Sequence, residues 1–177
     1  CPDAAEYGMK ERFSNKTAIA PTASISIICG GSSPGIEPIA ANSYTHKTLS
    51  GSFNVRNKYL KKLLQKHKKD TDDVWSSITT NQGSVSHLDF LTAEEKDTFK
   101  TAFEIDQRWV VELGADRTPH ISQAQSVNIF IPADIHKKDL HDLHFQAWKK
   151  GLKSLYYCRS KSIQRAENVN NTSQTDV

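Results

Sequence analysis

The segment best suited to chemistry lies near the start of the chain, at residues 19–24, which read Ile-Ala-Pro-Thr-Ala-Ser. The apolar residues before Pro21 predict the end of a strand, and the hydroxylated residues after it predict a short helix that stops at Gly30 and Gly31. A helix start leaves several backbone N–H groups unpaired, and the helix dipole adds about half a positive charge there. An anion such as a phosphate is therefore favoured at this point.

Two interpretations of this segment stay open on spacing alone. Thr22 and Ser24 can donate hydroxyl groups to a phosphate, and the small Ala23 allows close approach. The alternative is a capped helix that binds nothing, because helix starts are common and most of them hold no ligand. The β-branched residues between 22 and 28 also fit a strand, although we predict a helix.

The adjacent residues Tyr156 and Tyr157 are the second candidate. Successive side chains of a strand point to opposite faces, so the two rings can stack only at a bend or at a strand end. Tandem tyrosines in a strand usually serve packing. The dipeptide by itself therefore predicts no chemistry.

The histidines and cysteines indicate no further site. His141 and His144 lie three residues apart on a predicted helix, but no Cys, Asp or Glu completes a familiar metal-ligand pattern beside them. We expect them to be surface histidines. Cys29 and Cys158 belong to no Cys-x-x-Cys motif, and we expect both to be unreactive thiols.

Two helices are predicted in the middle of the chain. Residues 55–69 place apolar side chains at helical spacing, with lysines on the opposite face. We interpret the lysines as a solvated face because three aspartates follow closely, and a nucleic-acid patch is the less favoured alternative. Thr92 and Glu95 have the spacing of a capping box, which predicts a second helix that ends at Gly114. Its apolar face comprises Phe99, Phe103, Trp109, Val110 and Leu113.

The last third of the chain predicts a β-α-β unit. A strand over residues 126–131 stops at Pro132, a helix over residues 134–150 stops at Gly151, and a second strand covers residues 154–158. Such crossovers are right-handed in about 98% of cases, and they join parallel strands. We therefore expect a parallel sheet that is buried on both faces.

Composition limits the class of protein. The chain has 177 residues and a net charge of +3, and 37% of its residues are hydrophobic. This length fits one domain, placed at residues 1–159, and the polar residues 160–177 predict a flexible tail. No apolar run approaches the roughly 20 residues that span a bilayer, and the charge is too small to indicate nucleic-acid binding. Three cysteines are too few for a disulfide framework, which favours a reducing cytosol.

Taken in order, five motifs resemble the large, catalytic subunit of class I ribonucleotide reductase. They are residues 19–24, 35–38, 48–53, 122–128 and 143–157. The bacteriophage form is the branch to which they are most similar. The resemblance implies an α/β fold, in which this chain is the C-terminal part of a ten-stranded α/β barrel with parallel β-α-β units and a disordered tail.

The resemblance also implies an activity. The family reduces ribonucleoside diphosphates to deoxyribonucleotides by thiyl-radical chemistry: a cysteine thiyl radical takes the 3′ hydrogen, the 2′ hydroxyl leaves as water, and a cysteine pair supplies the electrons. Pro21, Thr22, Ala23, Ser24 and Ile25 would form the loop that binds the substrate phosphates.

The tyrosine pair gains a role from the same resemblance. Tyr156 and Tyr157 match the tandem tyrosines that pass the radical from the small subunit to the active-site cysteine. The strand over residues 123–128 is expected to be structural only.

Several features of the family lie outside this sequence. The Asn-x-Cys-x-Glu finger loop, the substrate-reducing cysteine pair, the ATP-binding cone and the C-terminal cysteine pair are not found in it. We therefore expect a C-terminal portion that is inactive alone. The alternatives are a fragment of a cobalamin-dependent class II reductase and a non-catalytic module that binds nucleotide phosphates.

Partners and cofactors follow from the resemblance. The expected partners are the N-terminal part of the large subunit, the reductase small subunit and the ribonucleoside diphosphate, with no membrane and no nucleic acid. No cofactor is expected on this segment. The complete enzyme would need the radical-bearing di-metal small subunit, a dithiol reductant and ATP or dNTP effectors, and it would work in the cytoplasm, or in the host cytoplasm for a phage protein.

Overall fold

The computed structural model describes residues 2–13, 15–49 and 51–161. In chain order its elements are α1 (Pro2–Glu6), α2 (Ala23–Ile28), β1 (Ser43–Thr48), β2 (Gly51–Arg56), α3 (Lys58–Lys66), α4 (Asp72–Thr80), α5 (Ala93–Thr98), α6 (Gln107–Arg117), a 3₁₀ helix (Thr118–His120), β3 (Ile129–Ile131), α7 (Lys137–Lys149) and β4 (Cys158–Ser160). None of the helices in the described ranges is long and apolar enough to cross a membrane.

The chain forms two compact units. One comprises Cys1–Thr22 together with Asp106–Val177, and the other comprises Ala23–Ile105. The chain passes from the first unit to the second between Thr22 and Ala23, inside the candidate phosphate segment. The single domain that we place at residues 1–159 stays a prediction.

The predicted parallel β-α-β unit is present in the first unit. β3 pairs with β4 in parallel, with Ile129 opposite Cys158 and Ile131 opposite Ser160, and α7 connects them. The second strand begins later than the predicted 154–158, because Gly151 ends α7 with a φ of 79° and the chain then stays irregular until Cys158. Ser160, which we assigned to the tail, belongs to β4, and residues 162–177 of the predicted tail lie outside the described residues.

Burial differs between the two strands. All residues of β3 are buried, and Ile129 and Ile131 pack with Leu143 of α7 in a small core. All residues of β4 are exposed, so the prediction of a sheet buried on both faces is wrong for this strand. The reason is its sequence, since Cys158, Arg159 and Ser160 offer little apolar surface to bury.

The predicted helix that ends at Gly114 is in fact two helices. The capping box is confirmed, because the Thr92 hydroxyl accepts the Glu95 N–H and the Glu95 carboxylate accepts the Thr92 N–H. α5 then ends at Thr98, and a new helix begins after Asp106, whose carboxylate accepts the Arg108 N–H at 3.0 Å. Because this break changes the helical phase, the predicted apolar face is not continuous.

Gly114 lies inside α6 and is buried there, so the prediction that it ends the helix is wrong. A Cβ at this position would lie 3.3 Å from Leu152 Cδ2 and 3.6 Å from Val127 Cγ2. The glycine therefore serves close packing between α6 and its neighbours. On the opposite side of α6, Trp109 and Leu113 are exposed, contrary to the predicted face.

The second unit holds the larger core. Its buried residues come from α3, α4 and the chain after α4: Leu60, Leu64, Trp75, Ile78, Val85, Leu88 and Leu91. The predicted helix 55–69 begins only at Lys58, because Val55 and Arg56 belong to β2 and Asn57 caps the helix by accepting the Tyr59 N–H at 3.0 Å. β1 and β2 form an antiparallel hairpin that the sequence analysis does not anticipate. The lysines of α3 are exposed, as the solvated-face interpretation expects.

Gly83 in this unit has little room for a side chain. Its φ is 82°, and an added Cβ would lie 2.6 Å from Ala41 Cα and 2.9 Å from the Asn42 nitrogen. Its carbonyl accepts both the Asn42 backbone N–H and the Asn42 side-chain amide, each at 3.0 Å. The clash is with backbone, so it cannot be relieved by a side-chain rotation.

Gly83→Ala should therefore lower the free energy of unfolding by about 2 to 5 kcal/mol, combining the cost of the left-handed conformation with that of overpacking. The matched control is Gly151→Ala, because Gly151 has a similar φ of 79° and nothing within 4 Å of an added Cβ. It should cost only about 1–2 kcal/mol. Urea unfolding followed by circular dichroism measures both, and equal costs would contradict the packing argument.

Candidate functional site

A dense set of hydrogen bonds holds the chain that leads into the candidate phosphate segment. The Thr17 hydroxyl accepts the Ser122 N–H at 2.8 Å, and the Ser122 hydroxyl accepts the Thr17 N–H at 2.9 Å. The Thr17 carbonyl accepts the Gln123 N–H at 2.9 Å. Further along, Ile19 forms a parallel bridge with Gln125. The predicted strand end before Pro21 thus exists as a short extended segment paired with residues 122–126.

The side chain of Gln125 stabilises this pairing through hydrogen bonds to the end of α6. It is buried, its amide donates to the Gly114 carbonyl at 2.9 Å and to the Thr118 hydroxyl at 3.0 Å, and its oxygen accepts from Arg117 Nε at 3.1 Å. The side chain therefore ties the extended segment to the end of α6. This agrees with the structural role expected for residues 123–128.

The candidate phosphate segment opens the short helix α2, as predicted. α2 begins at Ala23, and Thr22 before it has a φ of 51°. Ser26 is the buried residue of the helix, and its hydroxyl donates to the Ala23 carbonyl at 2.7 Å. The strands and bridges of the described residues do not include positions 21–25. The first-turn amides of Ala23, Ser24 and Ile25 are therefore not used in a sheet ladder.

Tyr156 and Tyr157 lie directly before β4, at the kind of strand end that lets neighbouring rings meet. Their ring centroids are 4.2 Å apart with an interplanar angle of 52°. Tyr156 is 49% exposed and Tyr157 is 54% exposed. The structure therefore brings the two phenol rings into contact in a tilted arrangement, not in a parallel stack.

The backbone of the pair is fixed by three hydrogen bonds to the chain around β3. The Tyr156 N–H donates to the Val127 carbonyl at 2.8 Å, and the Ile129 N–H donates to the Tyr157 carbonyl at 3.0 Å. The Tyr157 N–H donates to Asn128 Oδ1 at 2.9 Å. The sequence alone does not indicate this role for Asn128, because Tyr157 is 29 positions away.

The electrostatics of the pair follow from this contact. A hydrogen bond with Tyr157 raises the pKa of the Tyr156 phenol above its ordinary value, because the neutral Tyr156 O–H is stabilised as a donor. The guanidinium of Arg159 lies 5.8 Å from the centre of the Tyr157 ring.

The remaining candidate groups have local roles. His136 Nδ1 accepts the Lys138 N–H, His141 stacks on Phe145, and His144 Nδ1 lies 2.8 Å from the Leu140 carbonyl oxygen. Across the described ranges, no group of three or more His, Cys, Asp or Glu residues could hold a metal ion. Cys29 and Cys158 are exposed free thiols.

Comparison with known proteins identifies the fold. The family model described as "Ribonucleotide reductase, barrel domain" matches residues 3–158. The chain belongs to the ribonucleotide reductase barrel-domain family. The α/β barrel class implied by the five motifs is thereby confirmed, and the mixed α/β elements described above form a segment of a reductase barrel.

Relatives of this reductase segment are large subunits. The ribonucleoside-diphosphate reductase large subunit of Invertebrate iridescent virus 6 is 49% identical over 95% of this chain and 18% of the viral protein. The putative large subunit of Frog virus 3 is 42% identical over 90% of this chain and 28% of that protein. The bacteriophage branch stays a prediction.

A solved structure agrees with these relatives. The Actinobacillus ureae class Id ribonucleotide reductase alpha subunit is 42% identical, with a TM-score of 0.79 over 90% of this chain and 28% of that chain. The reductase segment thus spans less than a third of the length of the proteins that it resembles.

Replacing the Tyr157 hydroxyl tests the contact in the tyrosine pair. In Tyr157→Phe, the pKa of Tyr156 should fall towards its ordinary value of 10.0, because the neutral phenol loses its hydrogen-bond acceptor. This shift is measured by an NMR-monitored pH titration of the chain with ¹³C-labelled tyrosine rings. Tyr59→Phe, at an exposed tyrosine of α3, should leave Tyr156 unchanged. An unaltered Tyr156 titration in Tyr157→Phe would contradict the hydrogen bond.

Proposed function

We propose that this chain is the C-terminal portion of a class I ribonucleoside-diphosphate reductase large subunit. The complete enzyme would reduce ribonucleoside diphosphates to deoxyribonucleotides by thiyl-radical chemistry. The observation that carries the proposal is the match of the family model to residues 3–158, together with relatives that are named as large subunits of this reductase. The chain would supply two parts of the machinery, a phosphate-binding segment and a radical-transfer pair.

Pro21, Thr22, Ala23, Ser24 and Ile25 would bind the substrate phosphates. The first turn of α2 supplies N–H donors and the positive end of a helix dipole, and Thr22 and Ser24 add hydroxyl groups. Thr22 has a φ of 51°, a conformation that costs energy for a β-branched residue and that is enriched at ligand-binding positions. The exposed Ala23 leaves space for close approach.

Tyr156 and Tyr157 would pass the radical from the small subunit towards the active-site cysteine. A phenol loses an electron and a proton together at an accessible potential, and ring contact at a centroid distance of 4.2 Å keeps the transfer step short. Neither tyrosine is needed for substrate binding in this scheme.

The rest of the machinery would come from partners. The N-terminal part of the large subunit would supply the radical cysteine and the reducing cysteine pair, and a small subunit with a di-metal centre would generate the radical. A dithiol reductant and ATP or dNTP effectors complete the expected set. The enzyme would work in the cytoplasm.

Two other functions make different demands on the tyrosine pair. A cobalamin-dependent class II fragment needs no tyrosine relay, so the ring contact between Tyr156 and Tyr157 and the class Id structural neighbour favour class I. A non-catalytic module that binds nucleotide phosphates would keep the first turn of α2 but would make the tyrosine pair dispensable.

A complementation assay tests the proposal. The chain, mixed with the N-terminal part of a reductase large subunit and a small subunit, should form deoxynucleotides. Tyr156→Phe should abolish this activity and leave substrate binding intact, because phenylalanine has no ionisable phenol to carry the radical. Tyr59→Phe is the control for tyrosine replacement. Nucleotide binding without any product, beside a working full-length enzyme, would favour the binding module.

A negative charge placed in residues 21–25 tests the proposal that this segment binds the substrate phosphates. Ser24→Asp should raise the KM for a ribonucleoside diphosphate by about tenfold or more, because a carboxylate beside the first turn of α2 repels the phosphates. Ser32→Asp introduces the same charge after the helix, at an exposed position, and should leave KM within about twofold. Equal KM values in the two variants would remove the phosphate role from residues 21–25.

A further inference from the structure

The ammonium group of Lys153 is bound by three consecutive backbone carbonyls. Its Nζ donates to the carbonyl of Ile121 at 2.8 Å, to that of Ser122 at 2.8 Å and to that of Gln123 at 3.0 Å. A lysine ammonium has three N–H donors, so this arrangement uses all of them. Charge-assisted bonds of this kind are stronger than bonds between neutral groups.

The same loop is bound from its other side by the chain that leads to the phosphate segment. Ser122 exchanges hydrogen bonds with Thr17 through both backbone and hydroxyl groups, and the Gln123 N–H donates to the Thr17 carbonyl at 2.9 Å. Residues 121–123 are therefore held between Thr17 and Lys153. All of these residues belong to one compact unit.

Lys153 stands three residues before Tyr156, in the irregular stretch between α7 and β4. Gly151 ends α7 at the start of this stretch, and the Tyr156 N–H is bound by Val127 at its end. Within it, Lys153 makes the charged contacts to the 121–123 loop. Because the Lys153 side chain is hydrogen-bonded to this loop, it limits how far the backbone before the tyrosine pair can move.

We propose that Lys153 is a positioning residue that fixes the Tyr156–Tyr157 pair against the loop that also holds Thr17. Residues 121–123 thus bind both Lys153 and Thr17, which lies in the chain that leads to the phosphate segment. This inference rests on the proposed function for its catalytic consequence, whereas the anchoring itself is a property of the chain. Lys153 touches neither substrate nor the phenol rings in this scheme, and it acts through the backbone of the pair.

Removing the ammonium should slow turnover without weakening substrate binding. In the complemented enzyme, Lys153→Met should lower kcat by roughly ten- to a hundredfold, the range expected when a reacting group is misplaced by about an ångström. KM should stay within about twofold, because the phosphate segment keeps its bonds to the loop through Thr17. An EPR measurement with 3-aminotyrosine in place of Tyr156 should show less trapped radical in the variant.

Lys150→Met is the matched control. Lys150 lies three residues earlier and pairs with Glu112 rather than with the loop. Its replacement removes the same charge from the same stretch, and it should leave kcat within about twofold. A Lys153→Met variant that is as active as Lys150→Met would overturn the proposal.

Chemical rescue separates positioning from a general loss of structure. Lys153→Cys, alkylated to S-aminoethylcysteine, restores an ammonium at nearly the same reach and should recover most of kcat. The wild-type chain is alkylated in parallel, since Cys29 and Cys158 are exposed and will also react. A loss of activity in Lys153→Cys that aminoethylation does not restore would overturn the proposal.

Amide hydrogen exchange of the full chain provides a readout that does not depend on activity. In Lys153→Met, the amide of Tyr156 should exchange at least about tenfold faster than in Lys150→Met, because the backbone before the pair loses the contact that limits its motion. The amide of Gln123, whose acceptor is the Thr17 carbonyl, should exchange at a similar rate in both variants. Unchanged exchange would overturn the anchoring whatever the activity shows. An inactive wild-type mixture with faster exchange in Lys153→Met would instead refute the proposed function and retain the anchor.

Discussion

The hydrogen bonds made by residues 121–129 are the interaction on which the rest of the first unit depends. On one side, this stretch forms hydrogen bonds with Thr17 and Ile19, in the chain before the phosphate segment. It receives the chain around the tyrosine pair on the other side, through Val127 and Ile129. Most of these bonds join backbone atoms that are far apart in the sequence, so they form only when the whole unit folds. The same strand-like stretch therefore binds the chain that leads to Pro21 and the backbone of the tyrosine pair.

Side-chain contacts also stabilise the stretch 121–129. The buried Gln125 ties the stretch to the end of α6, and Gly114 allows Leu152 and Val127 to approach the helix closely. β3 then continues into the core formed with α7. The chain around the tyrosine pair is thus irregular but held at both ends, which leaves the two phenol rings partly exposed while their backbone is bonded. Such a combination suits residues that must meet a partner with a defined geometry.

Local signals in the sequence predicted much of this arrangement. The capping box at Thr92, the short helix after Pro21 and the β-α-β unit depend on neighbouring residues and on periodicity, and all three are present. The break between α5 and α6 was missed because Asp106 reads as an ordinary polar residue until its capping bond is seen. The sequence predicts that Gly114 ends a helix, because its close contact with Leu152 arises from distant parts of the chain and leaves no local signal.

The candidate site also combines features that local sequence signals predict with features that depend on distant residues. The types of Tyr156 and Tyr157 suggested a relay only through the family resemblance. Their ring contact depends on where β4 begins, which is Cys158, four residues after the predicted start of that strand. The roles of Asn128 and Lys153 could not be predicted, because each bonds to residues more than 25 positions away.

The three hydrogen bonds that hold the backbone of the tyrosine pair differ in which substitutions can remove them. Two of the three join main-chain atoms, and only a proline at position 129 or 156 would remove a donor. The third uses the side chain of Asn128, so a single base change at that codon can delete it. A single substitution at position 128 can therefore loosen the backbone of the pair while the two main-chain bonds stay in place.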